Sequence, residues 1–463
     1  MPINRREMVK AALASALGAS PARALAASDQ TARLQAQIDA AQAGSGLLAL
    51  PPGIYSVSTL SITGPVAISG VPGKTILRSL HGGPILQVSD AEGVRLSGLT
   101  FDGANAPAAD EKAAGDSYLV AARNCAALRI EGCSFRNAAV SGLGLDRCSG
   151  WVKDNQFHAL AEVALRAGRF SEAAGNAAHG LEISGNRVSD MGNGGIYIFH
   201  AGAKPGEDSS LITGNHIEGV RSASGNGPNG NGIDVFNAAH VTVANNRVTD
   251  CAFGGIRVVS SKNCVVTGNT VSAIADAGIF VEFAFEAVSV TSNVVDDCSL
   301  GIEMSGGEGT VGVLALCANN IVRDIARPAT NPQSANFIGI DLAAMAATCQ
   351  GNVIERIADN AHGPGIGIAV FDWQASHEHL VAGNMIRAAA CGIGIVSPPD
   401  AGGPPIAISG NMISGASIAA ITMLEQETFA DGSAKSLKPT GEDLAKAAAP
   451  AAHISLSGNI TAP

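Results

Sequence analysis

The chain has 463 residues, 46% of them hydrophobic, only 15% charged, with 56 glycines and a formal charge of −11. That balance excludes a disordered chain, and the acidic excess disfavours nucleic acid and anionic membrane surfaces, which both select Lys and Arg. No apolar run reaches the roughly 18–20 residues of a spanning helix. With 13 Phe, 3 Tyr and 2 Trp, the sequence reads as a thin core repeated many times, not as the three domains its length suggests.

Residues 1–26 have the order of an export signal: basic Arg5, Arg6 and Lys10, a weakly apolar stretch over 11–18, and Ala24-Leu25-Ala26 as a small-residue cleavage site. The paired arginines, Lys10 and Arg23 resemble a twin-arginine signal, although Asn4 stands where that family prefers Ser or Thr, and Met8-Val9 where it prefers Phe-Leu. The resemblance implies the twin-arginine translocase as a partner and a periplasmic or secreted location. An amphipathic N-terminal helix is the alternative.

The segment 27–45 predicts a short amphipathic helix, with apolar residues at helical spacing along Arg33 to Ala41. It runs into Leu50-Pro51-Pro52-Gly53. This entry resembles the pectate-lyase-like superfamily, in which a helix caps the first coil of a right-handed β-helix and covers the open sheet edge.

Across 46–463 one unit recurs: aliphatic, x, aliphatic, x, small, Asn, x, aliphatic. The Asn falls at 155, 186, 215, 246, 269, 293, 320, 352, 384, 411 and 459. These intervals are solenoid coils and too short for domains. Residues three before the Asn (Ile183, Val243, Cys317), two after it (Val188, Val271) and five after it (Met191, Cys251, Cys298) predict inward stacks. The Asn itself is expected at a left-handed bend, with its amide in a ladder. A further strand begins Gly-Ile, as in Gly232-Ile233, Gly278-Ile279 and Gly301-Ile302. The expected fold is all-β: a single-stranded right-handed parallel β-helix of about a dozen coils, roughly 60 Å long, with an N-terminal capping helix. A left-handed hexapeptide helix is the alternative, but it needs a stricter period.

Insertions flank the Gly-Ile strand and spare the Asn bend, making that sheet a walled groove; in the superfamily resembled, it carries the active site. Five cysteines (251, 264, 298, 317 and 349) fall in the inward stacks and read as buried thiols. Cys125, Cys133, Cys148 and Cys391 stay open between thiol and disulfide. With no C-x-x-C pair, no structural metal site is expected, and His377-Glu378-His379 reads as a solvated loop.

Outward positions after Gly-Ile read Tyr197, Asp234, Arg257, Phe280, Glu303 and Asp341, and two residues further on Phe199, Phe236, Val259 and Glu282. Glu282, Glu303 and Asp341 are the candidate catalytic carboxylates, with Asp234 and Arg257 in support; Tyr197, Phe199, Phe236, Phe280 and Trp373 are candidate sugar-stacking rings. Glu303 and Asp341, one coil apart, should lie about 5 Å apart at the β-carbons, and Glu282 and Glu303 roughly 8 Å. Either separation suits a glycosidase pair, and the carboxylates could instead bind Ca²⁺. The motifs of polygalacturonases, pectate lyases and alginate epimerases are absent. Two readings follow: an enzyme that hydrolyses or lyses an extended polysaccharide, or a non-catalytic envelope or carbohydrate-binding rod. The stretch 426–450 is undecided between loop and tail.

Overall fold

The computed structural model describes residues 28–107, 117–168, 180–200, 205–225, 227–306, 310, 312–328, 336–371, 378–396, 405–428, 435–446 and 454–462. The export signal at 1–26, Trp373 and His377 therefore lie outside the described residues.

Helix α1 (Thr31–Ala43) buries Leu34, Ile38 and Ala41 against the first coil. It also meets that coil's backbone. Thr31 Oγ1 accepts from Ser58 N at 2.8 Å, and the Gln35 amide accepts from Ser61 N at 2.8 Å and donates to Ser61 O at 2.9 Å. The cap thus does for the Leu60–Ile62 strand what a preceding coil would do, covering that part of the open edge.

Beyond the cap, each coil that carries the Asn adds one strand before it, one after it, and one on the Gly-Ile face, each paired in parallel with its equivalent one coil away. Along the Gly-Ile face the ladder runs through fourteen strands, from Leu60–Ile62 to Ala419–Thr428. That is two more than the sequence count of about a dozen, because the first coils lack the Asn that makes the others visible. One apolar core runs unbroken inside them, from Leu34 to Ile454. The predicted stacks sit in it: Ile183 on Ile212, Val188 on Ile217, Met191 on Val220. Phe101, Phe135 and Phe157 continue one stack as nearly parallel rings, with centroids 5.1 and 4.7 Å apart.

The bend differs from expectation in one respect. The ladder asparagines do not have positive φ; the residue before each does, as at Gly185 (66°), Asn245 (55°), Ser292 (58°) and Asn319 (57°). The small residue of the repeat makes the turn, since glycine or a short polar side chain tolerates that conformation best. The Asn is then free to do something else. Asn293 Oδ1 accepts from both the backbone N–H and the Nδ2 of Asn269, at 3.0 Å each, and its own Nδ2 donates to Val266 O and Asn320 Oδ1. The same set repeats from Asn155 to Asn459. Both amide hydrogens and both oxygen lone pairs are used.

All nine cysteines are buried thiols. Cys317 lies on Cys349, and Cys125 on Cys148, in neighbouring coils, so the four left open by sequence are as buried as the five in the stacks. The undecided stretch after Gln426 contains a strand, Lys435–Pro439, that pairs antiparallel with Ala419–Thr428. Leu437 of this hairpin exchanges two hydrogen bonds with the Asn336 side chain, N–H to Oδ1 at 2.7 Å and Nδ2 to O at 3.1 Å. The hairpin therefore lies back over the Gly-Ile face.

Replacing Asn293 by Ala leaves the buried N–H of Asn269 and one of its two Nδ2 hydrogens without an acceptor, the other still donating to Val243 O. At roughly 1–3 kcal/mol per orphaned group, the variant is expected to lose about 3 kcal/mol or more in denaturant unfolding. Thr270→Ala, on an exposed position beside the same bend, should stay within about 0.5 kcal/mol.

Candidate functional site

The outward column of the Gly-Ile sheet is in register, strand by strand: Arg166, Tyr197, Asp234, Arg257, Phe280, Glu303, Asp341. The next outward column runs Phe199, Phe236, Val259, Glu282, Ser305. Strand pairing thus brings the charged candidates together, with Glu303 directly beside Asp341. Their surroundings divide them into two groups.

In the first group Arg257 is shared by two carboxyls. Its guanidinium hydrogen-bonds Glu282 and the Gly227 carbonyl, and Nη1 lies 3.6 Å from Asp234 Oδ2. The guanidinium carbon also stands 5.5 and 6.0 Å from the ring centroids of Phe253 and Phe280. Asp234 is 1% exposed and Glu282 7%. Asp234 accepts from Asn231 Nδ2 at 3.2 Å, yet burial pushes its carboxyl up to about 7 against the pull of Arg257. Burial likewise raises Glu282, again opposed by Arg257. Such a cluster, desolvated and held by one guanidinium shared between two carboxyls, is a structural tie.

The second group is Glu303, Asp341 and Asp276, none of which forms an ion pair among the described residues. Burial raises Asp341 to about 7. Glu303 is raised well above the ordinary carboxylate range by burial and then by Asp341, Asp276 and Glu282. Asp276, 4% exposed, is pushed up to about 7 by burial and by Glu282, with Arg257 pulling the other way from a distance. One oxygen each of Asp276 and Asp341 is buried without a hydrogen-bond partner. Like charges this close cannot all ionise, so the cluster holds protons near neutral pH.

Asp276 is absent from the sequence candidates. It sits at the irregular register between Ile274 and Ala277, where the strand turns onto the Gly-Ile face, and such bulges re-aim side chains. Counted two residues before each Gly-Ile, the sequence has Gly230, Phe253, Asp276, Ser299 and Phe337; the single acid in that series is the signal that could have found it.

The aromatic candidates are corrected. Tyr197 is fully buried, Phe199 2% and Phe280 4% exposed. Tyr197 stacks on Phe199 with centroids 5.1 Å apart and donates its hydroxyl to Asn193 O at 2.9 Å. Phe280 belongs to a second apolar cluster on the outer face, with Phe253, Ile338, Ala369, Leu424 and Leu437. Neighbouring rings and the hairpin's leucines cover the faces that a sugar would need. Phe236 alone of the four described rings is half-buried. The walled groove is correspondingly filled over part of its length, because Leu424 lies on Gly394 and Leu437 joins the cluster beside the coil that carries Asp341.

Among the described residues, no three His, Cys, Asp or Glu side chains are arranged to hold a metal ion. His379 is buried and Glu378 exposed. Among the described residues, no helix is long and apolar enough to cross a membrane.

Comparison with known proteins bears on the fold that carries this site. The family model described as "Right handed beta helix region" matches residues 170–325, and the chain is a right-handed parallel β-helix. The N-terminal fragment of bacteriophage phi29 gene product 12 is 13% identical and superposes with a TM-score of 0.54 over 86% of this chain and 66% of that one. The chain thus spans just under two thirds of it. The catalytic unit of a GH87 α-1,3-glucanase from Streptomyces thermodiastaticus is 13% identical, with a TM-score of 0.44 over 94% of this chain and 67% of that one. The periplasmic alginate epimerase AlgG is 10% identical, with a TM-score of 0.39 over 89% and 78%. The last two superpositions are too loose to bear on the site. No curated protein matches the chain.

The proton linkage of Asp276 has a definite sign. Its folded value of about 7 lies above the ordinary 3.8, so its favourable contribution is complete in acid and fades as pH rises from about 4 through 7. Asp276→Asn removes that dependence. The variant is expected to be more stable than the parent by roughly 2–4 kcal/mol at pH 8 and to match it near pH 4, in unfolding measured at both pH values.

Proposed function

We propose that the protein binds an extended polysaccharide along the Gly-Ile face and hydrolyses it with Glu303 and Asp341. The observation that supports this reading is their direct pairing on adjacent coils, without an ion-pair partner among the described residues, in surroundings that raise both carboxyls. One strand spacing, about 4.8 Å, is close to the roughly 5–5.5 Å carboxyl separation of glycosidases that retain configuration. Glu303, held protonated more strongly, donates its proton to the glycosidic oxygen. Asp341, which ionises first, attacks the anomeric carbon, and the bond to the leaving sugar breaks. Water then cleaves the glycosyl ester with Glu303 as base, which restores both groups. Asp276 raises Glu303 further. Asp234, Arg257 and Glu282 hold the neighbouring coils in register rather than touching the substrate. The glucanase and the epimerase named above are polysaccharide-acting proteins, but their likeness is too loose to add to the carboxylate geometry.

In the same proposal the activity lies outside the cytoplasm, and the twin-arginine translocase delivers the folded chain there. The basic, apolar and small-residue order of residues 1–26 supports this. A coil stack that must close on its own cap suits transport after folding.

The test is turnover of a panel of envelope and plant polysaccharides by the parent and by Glu303→Gln. The expected result is a loss of 100-fold or more in kcat for the variant, with retained configuration in the first product seen by NMR. Equal turnover removes Glu303 from the mechanism, inverted product removes the adjacent pair, and no turnover on any glycan leaves a non-catalytic carbohydrate-binding rod.

A further inference from the structure

On the strand after the Asn bend, the first outward side chain of each coil also forms a column. In the C-terminal half it reads Val294, Ile321, Val353, Met385, Met412 and Ile460, each in register with the next. Ile321 is 43% exposed, Met412 44% and Ile460 60%; the other three are half-buried. In earlier coils the same position holds Gln156, Arg187, His216, Arg247 and Thr270, so the coil itself does not need an apolar side chain there. Apolar residues in one unbroken line make a contiguous stripe, which marks an interaction surface where scattered ones do not. Beside it, two residues along each strand, runs a second column: Ser272, Asp296, Arg323, Glu355, Arg387 and Ser414. Its charges alternate in sign. Asp296 and Arg323 pair within the chain at 3.0 Å, and Glu355 pairs with Arg356 at 2.8 Å, partly exposed contacts of a kind that adds little to folding.

We propose that this face is where two copies of the chain meet, in a two-fold dimer with the rods antiparallel. A two-fold axis along the strands, midway between Ile321–Ile325 and Val353–Ile357, turns one rod end for end and sets each column against itself in reverse order. Ile321 then faces Val353, and Val294 faces Met385. In the charged column the same axis sets Asp296 against Arg387, Arg323 against Glu355, and Ser272 against Ser414. Every charge in that column meets its opposite, and every contact occurs twice, as an isologous interface requires. A two-fold along the rod instead sets each charge against its own copy or against the apolar column, and like charges face to face are unfavourable. Six strands of five residues give a footprint of roughly 29 by 16 Å, at the small end for specific interfaces, which suits an association of micromolar strength. The interface lies on a different face of the coil from the Gly-Ile strands, goes beyond the cleavage reading, and stands whether or not the chain is an enzyme.

Sedimentation velocity of the full-length protein between about 1 and 200 µM tests it. The expected outcome is a reversible monomer–dimer equilibrium in that range. Arg387→Glu sets a carboxylate against Asp296, and Asp296→Arg sets a guanidinium against Arg387, so each variant alone should dimerise about tenfold or more weakly than the parent. Mixed in equal amounts, the two should recover the parent's affinity within about threefold, because each supplies the charge that the other lacks. Ile321→Asp, at an exposed position, should weaken the dimer likewise and leave the monomer's thermal unfolding unchanged; the charge variants decide the question where it fails to fold. A protein that stays monomeric at the highest concentration overturns the proposal, and is the result expected if the face serves a different protein. So does a dimer that Arg387→Glu and Asp296→Arg leave equally tight, or a mixture of the two that stays as weak as either alone.

Discussion

Everything in this molecule depends on stacking one coil on the next at a single strand spacing. At about 4.8 Å each side chain sits over its counterpart, so whatever a coil places at one position must tolerate its neighbours at that position. Aliphatics tolerate it by packing, and Phe101, Phe135 and Phe157 by lying parallel. A buried amide tolerates it only if the next coil brings an amide too. The asparagine ladder is that solution, and it makes the bend the one part of the coil where no insertion falls.

The same rule makes charge difficult. A carboxylate on the Gly-Ile face has a neighbour above and below, and it must find a cation, water or a proton. Asp234 and Glu282 find Arg257 from the intervening coil. Glu303, Asp341 and Asp276 pair with no such arginine among the described residues, and protons take its place. Stability is given up there, beside an apolar cluster on the outer face that the hairpin's leucines join. Unrelieved burial of titratable groups on an otherwise well-satisfied scaffold is a recurring mark of chemistry, because a general acid needs a raised pKa.

Along the sheet, the outward face changes character. Near the N-terminus it carries the Tyr118 ring on Gly144 and the Arg123–Asp146 ion pair, in the middle it is packed with Tyr197, Phe199 and Phe236, and beyond Arg257 it is acidic. A rod that offers different surfaces at different heights can hold a long ligand at more than one point, although each coil is built alike.

Periodicity makes the fold legible: a repeat marked by Asn and by Gly-Ile specifies strand, bend and register without long-range information. Counting along it therefore suffices to put Tyr197, Asp234, Arg257, Phe280, Glu303 and Asp341 in one column. The sequence by itself determined which residues align. Only the tertiary structure decided what covers them, because covering is done by parts outside the repeat: rings leaning sideways, the irregular register that brings Asp276 to the outward carboxylates, and the Lys435–Pro439 strand anchored on Asn336 from 101 residues away. For the same reason Tyr197 and Phe199, outward by register, are buried in the folded chain: the repeat sets which way a side chain points, and its neighbours set what lies over it.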